Sequence, residues 1–508
     1  LAQLNEVEDI VVCHDTEVGP IVFTSTVQGG TTTYEWAASG DNINLIQTDD
    51  GTGVINAFIA QNITSEPLIT TVSVTSTFSN GDISNTTSPP LTFTITVNPV
   101  PQIDDSLNNA ICHNESYTYS PVNGEHGVVP SGVTYSWEAP STTDDTVQGT
   151  SGTNQNEFTT GILENDDLNV AATLTYTVTP TILATGCEGE DFTVTVTVNP
   201  EPQIDDFTET ICEGDTFESI TPENDTNGVV PVGTTYTWEI SANSSSLVIG
   251  GSASTEPSAT IPGSELTLEA GTTSPQDLIY TVTPSSAEDC EGEDFTVTIT
   301  VNPVPQIDDS LNNAICHNES YTYSPVNGEH GVVPSGVTYS WEAPSTTDDT
   351  VQGTSGTNQN EFTTGILEND DLNVAATLTY TVTPTILATG CEGEDFTVTV
   401  TVNPEPQIDD FTETICEGDT FESITPENDT NGVVPVGTTY TWEISANSSS
   451  LVIGGSASTE PSATIPGSEL TLEAGTTSPQ DLIYTVTPNT EENCDGEPFT
   501  VTITVNPT

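Results

Sequence analysis

Apolar residues alternate with threonine in short runs along this chain, as in TTYTWEI at Thr234–Ile240, LIYTVTP at Leu278–Pro284 and FTVTITV at Phe295–Val301. A period of two is that of a strand with one buried face, and nowhere does the 3.6-residue rhythm of a long helix appear. Between Pro202 and Pro303, further β-rich runs lie at Thr216–Ile220, Leu247–Ile249 and Ser258–Ile261, separated by clusters of Gly, Pro, Asn and Ser. About seven such strands in about 100 residues predict an all-β sandwich of two sheets.

The pattern is punctuated. VNPVPQIDD begins at Val97 and Val301 and VNPEPQIDD at Val198 and Val402, so successive copies start 101, 103 and 101 residues apart. That is the length of one small domain. The spacing predicts five domains in tandem: 1–99, 100–200, 201–303, 304–404 and 405–508. Within each seam Pro-x-Pro fixes two φ angles and removes two donors, and no Gly or Ser slack follows. Residues 94–284 recur unchanged at 298–488, so two-domain blocks repeat every 204 residues. Duplication in register serves length and multivalency better than it serves a catalytic site.

Charge narrows the function further. The 508 residues include 76 Asp and Glu but no Lys or Arg, a formal charge of −76. Nucleic acid and anionic lipid are repelled, and no cationic side chain is available as phosphate ligand, Schiff-base amine or isopeptide donor. Only a protonated His could form a salt bridge, and trypsin has nothing to cut. The acidity reads as a solvated surface that keeps a long polymer soluble. It also nominates calcium, held near the seams by Asp104 and Asp105, Asp205 and Asp206, Asp308 and Asp309, and Asp409 and Asp410, with Glu188, Glu190 and Asp191 of CEGED as a second set. Two adjacent Asp supply too few oxygens for calcium without a partner loop, and no EF-hand pattern is present. No other cofactor is required. His14, His113, His317, His126 and His330 stand near no nucleophile motif, and acidic pairs are too frequent to mark a glycosidase. The chain does not read as an enzyme.

Eight of nine cysteines fall two per domain, the first in an IC step and the second just before the last strand. The economical expectation is one bridge within each domain: Cys112 with Cys187, Cys212 with Cys290, Cys316 with Cys391, and Cys416 with Cys494. This places the protein in an oxidising compartment. Cys13 is left over, either a buried free thiol, the preferred reading, or a cysteine paired outside the sequence given. No C-x-x-C or Cys/His cluster suggests zinc. Each domain also carries one Trp in a T-Y-x-W step: Trp36, Trp137, Trp238, Trp341 and Trp442. One Trp on an early strand is the core plug of an immunoglobulin-like sandwich, although 25 residues from Cys112 to Trp137 departs from the antibody spacing.

Taken together, ICxGDTF, NGVVPxGTTYTW, YTVTP and CxGxxFTVTVTVNPxP resemble the PKD-like, immunoglobulin-like repeats of giant cell-surface proteins of Bacteroidetes, including flavobacterial gliding adhesins. The first domain (DIVVCHDTEVGPIVF, then TYEW, then FTITVNP) resembles a sister version without its second Cys. The resemblance implies type IX secretion, display on the bacterial cell surface, and O-glycosylation at Ser106, Thr146, Ser310 and Thr350, each after an Asp. The favoured expectation is an extended rod, the stalk of an adhesin whose distal tip lies outside the sequence. Its partners would be neighbouring repeats, and surface glycans or abiotic surfaces met through that tip, without membrane insertion. A multivalent glycan-binding array and a self-assembling extracellular fibre are the alternatives. A chain starting at Leu1, with no Met, signal peptide or transmembrane run, is expected to be a mature or internal fragment.

Overall fold

The alternating runs of the third unit form the strands Thr235–Ile240, Val248–Ile249, Gln276–Ser285 and Phe295–Asn302. The runs near Thr216 and Ser258 contribute isolated bridges, Thr216 to Glu265 and Ile220 to Ile261. This computed structural model describes residues 3–45, 53–81, 86–104, 107–140, 142, 146–308, 311–344 and 350–508, and no helix occurs among them. None is therefore long and apolar enough to cross a membrane.

One strand was not expected from the pattern. Phe207–Cys212, directly after the seam, lies parallel to Phe295–Asn302, with Cys212 opposite Asn302. The sheet runs Phe207–Cys212, Phe295–Asn302, Gln276–Ser285, Thr235–Ile240, and the pairings after the first are antiparallel. The same order recurs in every unit, as in Leu107–Cys112, Phe192–Asn199, Ala172–Ile182 and Val133–Trp137 of the second. Glu115–Tyr119 paired with Phe158–Leu163 faces that sheet across the core.

Period-two alternation decides which atoms meet. In Phe192–Asn199 the Phe and three Val are buried, while the Thr between them point outward. There Thr173 meets Thr197 and Thr175 meets Thr195, both at 3.3 Å, forming a hydroxyl ladder in place of charged pairs. Each unit has a core of its own, and none of the five buried clusters spans two units. The accessible surface is 26271 Å². One compact body of this size would expose roughly 18,000 Å² and five separate ones about 27,000 Å². The units are therefore strung together and meet only at their ends.

The cysteine pairing differs from expectation. The bridges are Cys13–Cys187, Cys112–Cys290, Cys212–Cys391 and Cys316–Cys494, each joining one unit to the next. Cys13 is bonded, and Cys416 is the free, exposed cysteine. The unexpected first strand supplies the reason. Parallel pairing carries Cys112 to the end of its unit where Asn199 also lies, whereas Cys187 precedes Phe192 at the opposite end of that last strand. Seven residue steps of strand are about 23 Å, and a disulfide tolerates at most about 7 Å between Cα atoms. Across the seam the separation is 5.6 Å in all four bridges.

Candidate functional site at the seams between units

The strongest chemistry among the described residues lies at the four junctions. Take the one between the second and third units. Cys112 closes its strand, and its N–H donates to Glu115 Oε2 at 2.9 Å. The next residue, His113, donates its N–H to Asn199 O at 2.9 Å, and its Nδ1 accepts the Asn165 N–H at 2.9 Å. Asn165 is fully buried and gives its amide to the carbonyls of Val170 and Val198. Asn114 completes the turn with φ of 63°, a left-handed conformation that Asn tolerates. His113, His317 and His14 are therefore fasteners of the turn that presents the first cysteine.

The second cysteine is set in the head of the following unit. Cys290 is completely buried, its N–H on Ser286 Oγ at 3.2 Å and its carbonyl accepting the Ser286 N–H at 2.9 Å. Two residues on, Gly292 donates to Pro284 O at 2.9 Å. A Cβ on Gly292 would lie 2.0 Å from Pro202 O, the carbonyl of the second seam proline. The same approach, 2.0 to 2.1 Å, recurs at Gly189, Gly393 and Gly496. CxG is thus a seat for the Pro-x-Pro linker, and Asn199, Pro200 and Pro202 are buried in it. Backbone opposes backbone at this contact, so Gly292→Ala is expected to cost about 2–3 kcal/mol in urea denaturation. Gly19→Ala, with nothing within 4 Å, should stay within about 0.5 kcal/mol of the parent.

Acids surround the seam. A cleft there is lined by Asn114, Glu201, Gln203, Asp205, Glu293 and Asp294. Burial pushes the Glu201 carboxyl above its usual range; His113 opposes this, and Glu115 and Glu293 add to it. Glu405 repeats the arrangement with His317, Glu319 and Glu497. Among the described residues no three His, Cys, Asp or Glu side chains come close enough to hold a metal. Of the nominated calcium pairs, Asp206 and Asp410 accept the N–H of Thr296 and Thr500, each at 2.6 Å, tying the first strand to the last. The backbone N–H groups of Asp104, Asp205, Asp308 and Asp409 donate to His126, Asn227, His330 and Asn431. Asp105 and Asp309 lie outside the described residues, as do Ser106 and Ser310. Thr146 and Thr350 are half-buried, and their carbonyls accept from Asp166 and Asp370.

The Trp residues take two positions. Trp137, Trp341 and Trp442 are buried, with Trp137 edge-on to Phe158 at 4.9 Å. Trp36 and Trp238 sit half-buried at the rim of their cores. The indole N–H groups of Trp137, Trp238, Trp341 and Trp442 donate to Thr150, Ser252, Thr354 and Ser456 carbonyls, each at 2.9 Å. The indole donors of these four rings are thereby committed to the backbone of their own units.

Following covalent bonds alone, two tracks run the length of the array. One passes from Cys13 to Cys187, along Phe192–Asn199, through the linker, along Phe207–Cys212 to Cys391, along Phe396–Asn403, and on through Phe411–Cys416. The other takes the partner strand in each unit: Leu107–Cys112 to Cys290, Phe295–Asn302, Leu311–Cys316 to Cys494, and Phe499–Asn506. The second to fifth units are each crossed once by either track, and the two crossings are the parallel-paired first and last strands.

Among solved structures, the human desmocollin-1 ectodomain is 14% identical, with 98% of each chain covered and a TM-score of 0.26. Drosophila N-cadherin EC1-4 is 11% identical, covering 80% of this chain and 99% of that one, with a TM-score of 0.19. The eight N-terminal immunoglobulin domains of Down Syndrome Cell Adhesion Molecule are 11% identical, covering 100% of this chain and 70% of that one at a TM-score of 0.18. No curated protein sequence matches. The PKD-like domain matches residues 102–202, 209–305, 313–406 and 413–508. With most of its length matched in four consecutive copies, the chain belongs to the PKD-like domain family.

Proposed function

We propose that this protein is the load-bearing stalk of an extracellular adhesin, a tether that holds a distal tip at a fixed distance and transmits pull without stretching. The observation that carries this reading is the pair of covalent tracks. In each unit they occupy neighbouring strands, so linker and bridge leave side by side, about 5 Å apart. Two anchors at each joint oppose bending in a way that a single flexible linker does not. The −76 charge favours the extended form by self-repulsion and resists lateral association. The bacterial cell surface, type IX export and gliding are the setting in which such a stalk would work, following the resemblance of its repeats.

The stiffness is measurable. In negative-stain electron micrographs the oxidised chain should appear as straight particles with a narrow spread of end-to-end distance. Reduction in native buffer should widen that spread without unfolding the units. Equal distributions before and after reduction would remove the support for a stalk stiffened at its joints.

A further inference from the structure

We propose that the exit face of the fifth unit, centred on Cys416, is a docking surface for the entry end of one further PKD-like unit, closed by a fifth interdomain disulfide. The inference rests on the seam geometry and is independent of the load-bearing reading.

Cys416 is built as its bonded counterparts are. Its N–H donates to Asp419 Oδ2 at 3.2 Å, as that of Cys212 does to Asp215 Oδ2 at 3.2 Å. Glu417 donates to Asn506 O at 2.9 Å, as Glu213 does to Asn302 O at 2.8 Å. Cys416 also stands opposite Asn506 in the parallel pair, as Cys212 stands opposite Asn302. The four equivalent cysteines, Cys13, Cys112, Cys212 and Cys316, are all bonded to the second cysteine of the next unit.

Burial at the four occupied seams shows which residues such a contact covers. Asn98, Asn199, Asn302 and Asn403, with the prolines after them, are buried at the occupied seams. Asn506 and Pro507 are half-exposed, and Cys416 is exposed where Cys212 is half-buried. The exit face of the fifth unit is thus the same surface as at the four seams, with no unit seated on it among residues 1–508. What covers it elsewhere is a CxG turn with a buried cysteine. The first unit cannot supply one, because Asn80–Val97 contains no thiol where the second cysteine would stand. A head-to-tail copy of this chain is accordingly the wrong occupant, and a unit with a CxG cysteine is the right one.

Closing the bridge joins the two sulfurs and releases two protons and two electrons. A small-molecule disulfide such as oxidised glutathione accepts them and leaves as two thiols. To test this, the chain is extended beyond Pro507 by a second copy of residues 304–404, refolded in a glutathione redox buffer, and its bridges are mapped by non-reducing peptide mass spectrometry. The expected result is Cys416 joined to the appended copy's Cys391, with the free thiol moved to the appended copy's Cys316. With Cys391→Ser in the appended copy, Cys416 should again be alkylated stoichiometrically. The four native bridges in the same digest report folding, and extension by residues 201–303 provides a second entry end with a different sequence. If the native bridges form while Cys416 stays free in both extensions, or if Cys416 pairs with Cys416 of another molecule, the proposal is overturned.

Discussion

Held at Leu1 and at the Cys416 thiol and pulled in a single-molecule force experiment, the oxidised chain should stop extending at roughly 220 Å, whatever the load up to bond rupture. The bridges set this limit. The covalent route between the handles runs through residues 1–13, 187–212 and 391–416, about 62 residue steps at up to roughly 3.6 Å each. Reduced, the same handles are separated by the whole intervening chain, and the limit becomes roughly 1,500 Å. The oxidised trace should lack the sawtooth of successive domain unfolding, and the reduced trace should show it. Sawtooth steps of domain size under oxidising conditions would mean that load does not follow the tracks.

The second expected result separates the two tracks. With the same handles, replacing both Cys112 and Cys290 by Ser should leave the limit unchanged, because that bridge belongs to the other track. Replacing both Cys212 and Cys391 by Ser should raise it about threefold, since the load must detour through the remaining bridges. The two variants each lose one bridge, and their loops are nearly equal at 178 and 179 residues. Loop entropy assigns them similar stability losses, about 5 kcal/mol as an upper figure. A difference in extension with similar denaturation midpoints therefore reports track membership and not stability. Equal extension in the two variants would contradict the assignment.

Much of this architecture is legible in the residues. Thr alternating with Val, Ile and Phe marks the long strands, because only a half-buried strand needs that period, and the VNPxPQIDD seams mark the repeat. The first strand is not legible. In Phe207–Cys212 only Ile211 is buried, since an edge strand has one pairing partner and packs at the rim of the core. Without that strand, the two cysteines of one unit appear free to meet, and intradomain pairing is the simplest assignment. The odd count did carry a signal. Nine cysteines with a solitary first one fit two schemes: pairing within units, which strands Cys13, and pairing shifted by one unit, which strands Cys416. Only the parallel register, with Cys212 beside Asn302, decides between them. The roles of His113 and Gly292 are hidden for the same reason, since each depends on a partner more than 50 residues away.

The unchanged recurrence of 94–284 at 298–488 also bears on fidelity during biogenesis. Cys112 and Cys316 present the same surface, and Cys290 lies in nearly the same turn as Cys494, so surface chemistry discriminates little between the correct partner and the one a block away. Proximity along the polymer has to do so. Neighbouring units joined by a three-residue proline seam meet at an effective concentration that units further apart in the array, or in another molecule, do not reach. Correct pairing is thereby a kinetic outcome of order along the chain. Oxidation before a unit and its successor have both folded should scramble this protein more readily than one whose repeats had diverged.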